Sequence, residues 1–352
     1  PLALKNYLNQ PAWYLRDSNW SPDFPTSAQN AAWFLDKSAK LNPNLIIAID
    51  TEVLKTLLAE LGPFDIQGIE QPITKDNYQA ILNDHIETDF FPGSRRKTNS
   101  LSQLGTDIKY RLTNSTSQQQ LNLASKVIPL LNEKHILIHS DNSQLNKNLT
   151  TLNWNGRVGQ VAGINTDSEI LYFSPTEANL GVNKANKFID RSYKLKLNFN
   201  NQATSDLQIN YVNNSQSESK LEGPYETYIQ FPTNTLNSPE LFLLNNYKAK
   251  QLNLEIEKTN NIETAGSFFT VPIQSSQTLS LTQNHHNSKD YVIYFRKQPG
   301  TLNDPINIDI SASSNQLITL TDVNQGSTLT ANTLLTYNTN LKSDLFLKIN
   351  LK

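Results

Sequence analysis

Apolar and polar positions change rhythm partway along the chain. In the first half, stretches with helical spacing alternate with short unbroken apolar runs. Ala28, Ala31, Ala32, Leu35 and Ala39 fall near one face of a helix over 27–40, with Thr26 or Ser27 as N-cap. Residues 45–49 form a continuous apolar run ending at Asp50, a pattern that predicts a strand central in its sheet and covered on both faces. Thr51 then caps a second helix whose buried stripe is Val53, Leu54, Leu57, Leu58 and Leu61, stopped by Gly62-Pro63. Helix, buried strand and helix in close succession predict an α/β unit. Helical patterns recur over about 75–90, 99–112 and 118–132, and a second apolar strand covers 135–139.

From about residue 190 the period becomes two. Tyr193, Leu195, Leu197 and Phe199 alternate with polar residues, as do Leu207, Ile209 and Tyr211, then Leu252, Leu254 and Ile256, then Ile306, Ile308 and Ile310. Such runs, separated by Asn, Ser, Gly and Pro, predict antiparallel strands with one wet face. The expected organisation is an α/β unit over 1–188, an immunoglobulin-like sandwich of about seven strands over 189–312, and a β-rich tail over 313–352. The turn-rich segment Asn179-Leu180-Gly181-Val182-Asn183-Lys184 reads as the hinge between the halves.

Composition narrows the function classes. Across 352 residues, hydrophobic residues make up 37% and charged residues 18%, and the net charge is −2. A nearly neutral chain offers no broad attraction to nucleic acid or to an anionic membrane, so nucleic acid is not an expected partner. Cysteine is absent, which removes disulfides, thiolate nucleophiles and Cys-ligated metals. Methionine is absent too, even at position 1. No stretch reaches the ~18 apolar residues of a membrane-spanning helix, so any membrane attachment is expected through sequence upstream of Pro1. No Ser/His/Asp triad, nucleophile elbow, phosphate-binding Walker loop or dinucleotide fingerprint is visible.

The stretch Leu15-Arg16-Asp17-Ser18-Asn19-Trp20-Ser21-Pro22-Asp23-Phe24-Pro25-Thr26-Ser27-Ala28 resembles the signature of the DUF4012 family of bacterial envelope proteins. The likeness continues through Asp50 and Leu61-Gly62-Pro63, and resumes at 152–156, 178–184, 223–225 and 297–300. More distantly, the α/β part is similar to LytR-CpsA-Psr proteins, which transfer phosphate-linked glycopolymers from a polyprenyl carrier to the cell wall. The resemblance implies an extracytoplasmic protein of the bacterial envelope, membrane-anchored at full length. It also implies that the α/β unit is incomplete without an upstream segment. The implied partners are a polyprenyl-linked glycan or cell-wall polymer, and other envelope proteins.

Candidate chemistry follows from that resemblance. Phosphoryl transfer needs cations on the phosphate oxygens and carboxylates on a divalent metal. Arg16 would supply a planar fork to pyrophosphate, with Asp17 and Asp23 as catalytic residues holding Mg2+. Arg95, Arg96 and Lys97 follow a Pro92-Gly93 turn and precede a helix, a placement suited to binding phosphate. Each has a structural alternative: salt bridges for Arg16 and Asp17, a turn for Asp23, a solvated face for the basic triplet. Trp13, Tyr14, Trp20 and Trp33 would line a lipid or sugar groove or pack in a core. His135 and His139 share a strand face, a geometry open to joint metal ligation, but no third ligand is evident; His285-His286 reads as a loop. The leading expectation is a glycopolymer phosphotransferase-like envelope protein, and the alternative is a non-catalytic surface scaffold or adhesion protein.

Overall fold

A computed structural model describes residues 1–81, 96–159, 168–219, 221–232, 240–245, 248–259 and 262–352. The chain divides into two compact units. One comprises 1–46 together with 139–352, and the other is 47–138. The smaller unit is an insertion in the sequence of the larger.

In the inserted unit, helix α3 (Thr51–Leu61) begins where the Asp50 carboxylate accepts a hydrogen bond from Glu52 N at 2.9 Å. The cap is therefore Asp50 rather than Thr51; an aspartate in extended conformation satisfies one of the first-turn amides. Gly62 ends the helix with a φ of 83°, a region that favours glycine. Helices over Arg96–Thr113 and Ser117–Asn132 follow. The second starts with a reciprocal capping box between Thr116 and Gln119. Leu58, Phe64, Ile66, Ile73, Tyr78 and Leu104 form the buried cluster of this unit.

Strands β1 (Leu45–Ile49) and β2 (Ile136–Ser140) pair with each other in a two-stranded sheet. Asp50 N–H donates to His135 O and Asp141 N–H donates to Asn44 O, the reversed order of an antiparallel pair. The run 45–49 is therefore not central in a wide sheet. Leu45, Ile47 and Ile49 are exposed, and continuous apolarity mistakenly implied cover on both faces. It is β2 that is buried along most of its length.

The larger unit is sheet-rich. Helices α1 (Leu2–Leu8), α2 (Phe24–Ala39) and a third over Ser143–Thr151 accompany three further sheets. The longest contains β5 (Ile189–Asn198), β6 (Thr204–Asn213), β8 (Glu240–Asn245), β9 (Lys248–Gln251), β12 (Ser275–Asn284), β14 (Asp304–Ser311) and β17 (Leu334–Leu341). A five-stranded sheet holds β3 (Glu169–Phe173), β13 (Asp290–Phe295), β15 (Leu317–Asp322), β16 (Ser327–Asn332) and β18 (Leu345–Leu351). A four-stranded sheet holds β4 (Thr176–Asn179), β7 (Tyr225–Pro232), β10 (Glu255–Thr259) and β11 (Ile262–Val271). Side chains from all three meet in one apolar cluster, with Tyr193 against Phe295, Phe199 against Tyr291, and Tyr211 against Tyr225 and Phe269. The period-two pattern did its work here: alternate residues of β5, β6 and β18 point into that core.

The expected boundary at 188 and the separate tail at 313–352 do not match this grouping. Leu171, Phe173 and Ala185 share the core with residues of 193–351, and β17 lies beside β14 while β18 lies beside β13. A cut at 188 would divide one core. The expected hinge is a tied corner instead. Leu180 is buried and donates its N–H to Glu226 O, Asn179 Nδ2 donates to Asn183 O, and Asn183 Nδ2 donates to Pro224 O. Asparagine there supplies side-chain hydrogen bonds to the backbone rather than freedom.

Polar groups join the sheets as firmly as apolar ones. Glu177 on β4 accepts from Arg191 Nε at 2.8 Å and Nη2 at 2.6 Å, from Tyr211 Oη at 3.0 Å and from Tyr225 Oη at 2.8 Å. Gln298 clasps the backbone of Glu177, accepting from its N–H and donating to its carbonyl. Burial, then the neighbouring Glu177, pushes the Tyr211 phenol well above its ordinary pKa, so it stays a donor. A substitution Glu177→Gln strands the buried Arg191 charge with only Asp304, 3.5 Å away. Loss of one partner of a buried ion pair is expected to cost about 3–5 kcal/mol, read as a lower denaturant midpoint at unchanged slope. A loss below about 1 kcal/mol would mean that Asp304 suffices as counter-ion.

Candidate functional site

The Arg16–Ala28 stretch is built from a short 3-10 turn followed by the start of α2. Tyr14 enters extended, Leu15–Asp17 turn, and Trp13 Nε1 donates to Asp17 O at 3.1 Å, closing the loop. This turn points Arg16 outward. Its guanidinium lies 4.7 Å from the centre of the Tyr14 ring and donates to Gln10 Oε1 at 3.1 Å. Arg16 Nε stands 3.7 Å from Asp17 Oδ1, with side-chain exposures of 66% and 16%. Asp17 Oδ2 is buried and has no hydrogen-bond partner. Arg16 and Asp17 are thus brought together, one reaching solvent and the other largely covered.

Asp23 is committed elsewhere. Its Oδ2 accepts from Thr26 N at 3.1 Å and Thr26 Oγ1 at 2.8 Å, and its Oδ1 accepts from Val158 N at 2.9 Å. It is the N-cap of α2, with Pro25 in the first turn where its missing N–H costs nothing. The helix therefore begins earlier than the Ala28 periodicity indicated, and Thr26 and Ser27 lie inside it. A Mg2+ ion held jointly by Asp17 and Asp23 would compete for oxygens already in use, because the Asp23 carboxylate accepts three hydrogen bonds from Thr26 and Val158. Among the described residues no group of three or more His, Asp or Glu side chains is placed to hold a metal.

Of the basic triplet, Arg95 lies outside the described residues, while Arg96 and Lys97 open the helix Arg96–Thr113 in the 47–138 unit. Arg16, Asp17 and Asp23 belong to the other unit. The aromatic residues divide. Trp20 is buried against Tyr228 and donates Nε1 to Glu257 Oε2 at 2.8 Å, whereas Trp13 meets Phe34 edge-on. Tyr14 and Trp33 stay exposed. Tyr228 can reach this spot because β11 carries Gly266 beneath its ring; a Cβ there would come within 2.4 Å of Tyr228.

Arg296 escaped the sequence reading, and His139, considered there as a metal ligand, has a different environment. Arg296 is almost fully buried just after β13, and its Nη2 donates to Pro22 O at 3.1 Å and Gly156 O at 2.8 Å. Its one sequence signal was adjacency to the 297–300 motif. His139 is buried with neither ring nitrogen hydrogen-bonded. Burial first, with Arg157 opposing the pull of Asp141 and Asp23, holds its pKa below the ordinary value. His135 instead bonds Asp50 Oδ2 through Nδ1 at 2.6 Å, which accounts for it without a metal. His285, expected in a loop, is also buried, with Nε2 2.7 Å from Ser205 Oγ and its pKa lowered mainly by burial.

Residues 1–86 match the model of a family described as "Protein of unknown function (DUF4012)". The later motifs, from 152 onward, lie outside that match. No curated protein matches the chain significantly. Among solved structures, a proposed nutrient-binding protein from Legionella pneumophila is similar at 9% identity and a TM-score of 0.31, covering 52% of this chain and 70% of that one. An M1 zinc metallopeptidase from Deinococcus radiodurans has 10% identity and a TM-score of 0.26, with 47% and 42% covered. Leukotriene A4 hydrolase from Saccharomyces cerevisiae has 8% identity and a TM-score of 0.27, with 48% and 30% covered. The chain spans less than half of either peptidase, and likenesses this weak carry no argument about activity. They add nothing to the LytR-CpsA-Psr resemblance.

Two outcomes follow from this geometry. Asp23→Ala removes a helix cap and a buried acceptor of Val158 N, an expected loss of about 2 kcal/mol in urea unfolding. Asp23→Asn, which keeps an acceptor oxygen, should lose less. His139 and His285 bind fewer protons when folded than when unfolded, because their folded pKa values are depressed. The stability they contribute is therefore present above about pH 6.5 and falls as pH drops through the folded values. Urea midpoints compared at pH 7.5 and 5.5 should decline, and His139→Gln should reduce the decline.

Proposed function

We propose that this chain is a non-catalytic scaffold or adhesion module of the bacterial cell envelope, acting outside the cytoplasm through contacts of its β-sheet surfaces. The observation that carries this reading is the commitment of Asp23. Its oxygens accept three hydrogen bonds from Thr26 and Val158, so one of two carboxylates that a phosphoryl-transfer centre would use serves to start a helix and tie it to residue 158. The match of 1–86 to the DUF4012 model is in keeping with the family resemblance from which the envelope assignment is taken. A chain in which charged residues are only 18%, with Asn, Ser, Thr and Gln taking up the shortfall, supports it too. In this reading the partners are cell-wall polymer and other envelope proteins.

A second reading, a glycopolymer phosphotransferase acting on a polyprenyl-pyrophosphate-linked glycan, has one observation in its favour. Asp17 Oδ2 lacks a partner next to a guanidinium open to solvent, an arrangement able to meet a phosphate and its counter-ion.

Thermal melts of the wild type and Arg16→Lys, with and without polyprenyl pyrophosphate and Mg2+, separate the two. The scaffold reading expects no ligand-induced rise in Tm and a change of less than about 1 kcal/mol on substitution, since the Arg16 side chain is largely exposed. A rise that appears with ligand and disappears in Arg16→Lys, where the charge remains but the bidentate fork is lost, would install the transferase in its place.

A further inference from the structure

The 47–138 unit carries a groove of about 300 Å³ between the end of α3, the end of the helix Arg96–Thr113 and the start of the helix Ser117–Asn132. Its lining combines three kinds of chemistry. Tyr110 offers an aromatic ring that is 67% exposed, although large apolar rings are usually covered. Leu61 and Leu123 supply apolar surface beside it. The remaining residues are polar and balanced in charge, with Glu60 matched by Arg111.

The polar groups are fixed and complementary. Arg111 stacks its guanidinium 3.9 Å from the centre of the Phe64 ring and donates Nη1 to Leu61 O at 2.7 Å, which locks the side chain. Asn114 Nδ2 donates to Tyr110 O at 2.8 Å, which leaves its Oδ1 as the acceptor. Asn122 Oδ1 accepts from Gln118 Nε2 at 3.0 Å, which leaves its Nδ2 as a donor. A ligand suited to this lining has an apolar face to lie on a ring and an edge of groups that both donate and accept. It carries no net charge, because neither Glu60 nor Arg111 is in excess. Sugars have that construction: C–H bonds on the ring face, hydroxyls around the rim. The volume lies at the small end of the range for ligand sites and suits one or two sugar rings.

We propose that this groove binds a neutral saccharide, stacked on Tyr110 and held by Glu60, Arg111, Asn114 and Asn122. The site is independent of Arg16 and Asp17, so it stands or falls separately from the function proposed above.

The test is saturation-transfer NMR and titration of the full chain with triacetylchitotriose and maltotriose at millimolar concentrations. At least one should bind. Tyr110→Ala should weaken it about tenfold, the loss of one ring stack, while Tyr110→Phe binds as the wild type does. Because Tyr110 is largely exposed, the thermal midpoint of both variants should match the wild type, and Asn114→Ala provides a second weakened variant. The proposal is overturned if neither sugar binds, if binding is indifferent to Tyr110→Ala, or if an apolar peptide displaces the sugar and binds more tightly.

Discussion

The large unit depends on one buried charge pair. Glu177 projects from the four-stranded sheet and Arg191 from the longest sheet, so their ion pair crosses the interior between two layers. Taking both charges out of water is expensive, and only a full set of partners offsets it. That set is present: two tyrosine hydroxyls on the carboxylate, and Asp304 near the guanidinium. The arrangement restricts how the sheets can slide. A shift of one residue along β4 would turn Glu177 to the opposite face and leave Arg191 buried without its main partner. Apolar packing alone tolerates such slips far better, so the pair fixes register while the surrounding rings provide cohesion.

Arg296 plays the same part between the N-terminal segment and the β sheets. Its guanidinium collects the carbonyls of Pro22 and Gly156, two loops distant in sequence, from a position in which it is almost wholly buried. Asp23 adds the link to Val158, and Trp20 reaches Glu257. The residues from Arg16 to Ala28 read on the page as a catalytic motif, yet most of their polar atoms are spent holding the segment in place. A motif dense in Asp, Trp, Pro and Ser can mark a junction as readily as an active site.

What the sequence made legible followed from local rules. Alternation of apolar residues located β5, β6, β14 and β18, since period two is imposed by the pleat itself. Helical spacing located α3 and the helices Arg96–Thr113 and Ser117–Asn132. What stayed hidden depended on partners distant in sequence. The run 45–49 was as apolar as a central strand, but its number of neighbours is set by other segments. Asp23 looked available because nothing in its neighbourhood announces Val158. Asn179 and Asn183 looked like loose turn formers, and the carbonyl of Pro224 that fastens them lies about forty residues on. Burial of Arg296, His139 and His285 had no local signature, since a charged or polar residue beside an apolar run fits a strand end equally well.

The interruption of the large unit by residues 47–138 has a temporal consequence. The hydrogen bonds that seat the N-terminal segment span 237 residues from Trp20 to Glu257, 210 from Gln230 to Trp20, and 274 from Arg296 to Pro22. During synthesis residues 1–40 therefore emerge before any of these partners. The inserted unit, whose contacts are local, is available to fold first. At ordinary translation speeds Arg296 follows Pro22 by tens of seconds. Through that interval the segment holding Trp13, Trp20 and Phe24 remains unseated, an apolar stretch on which a holding chaperone or an export pathway for unfolded chains has time to act.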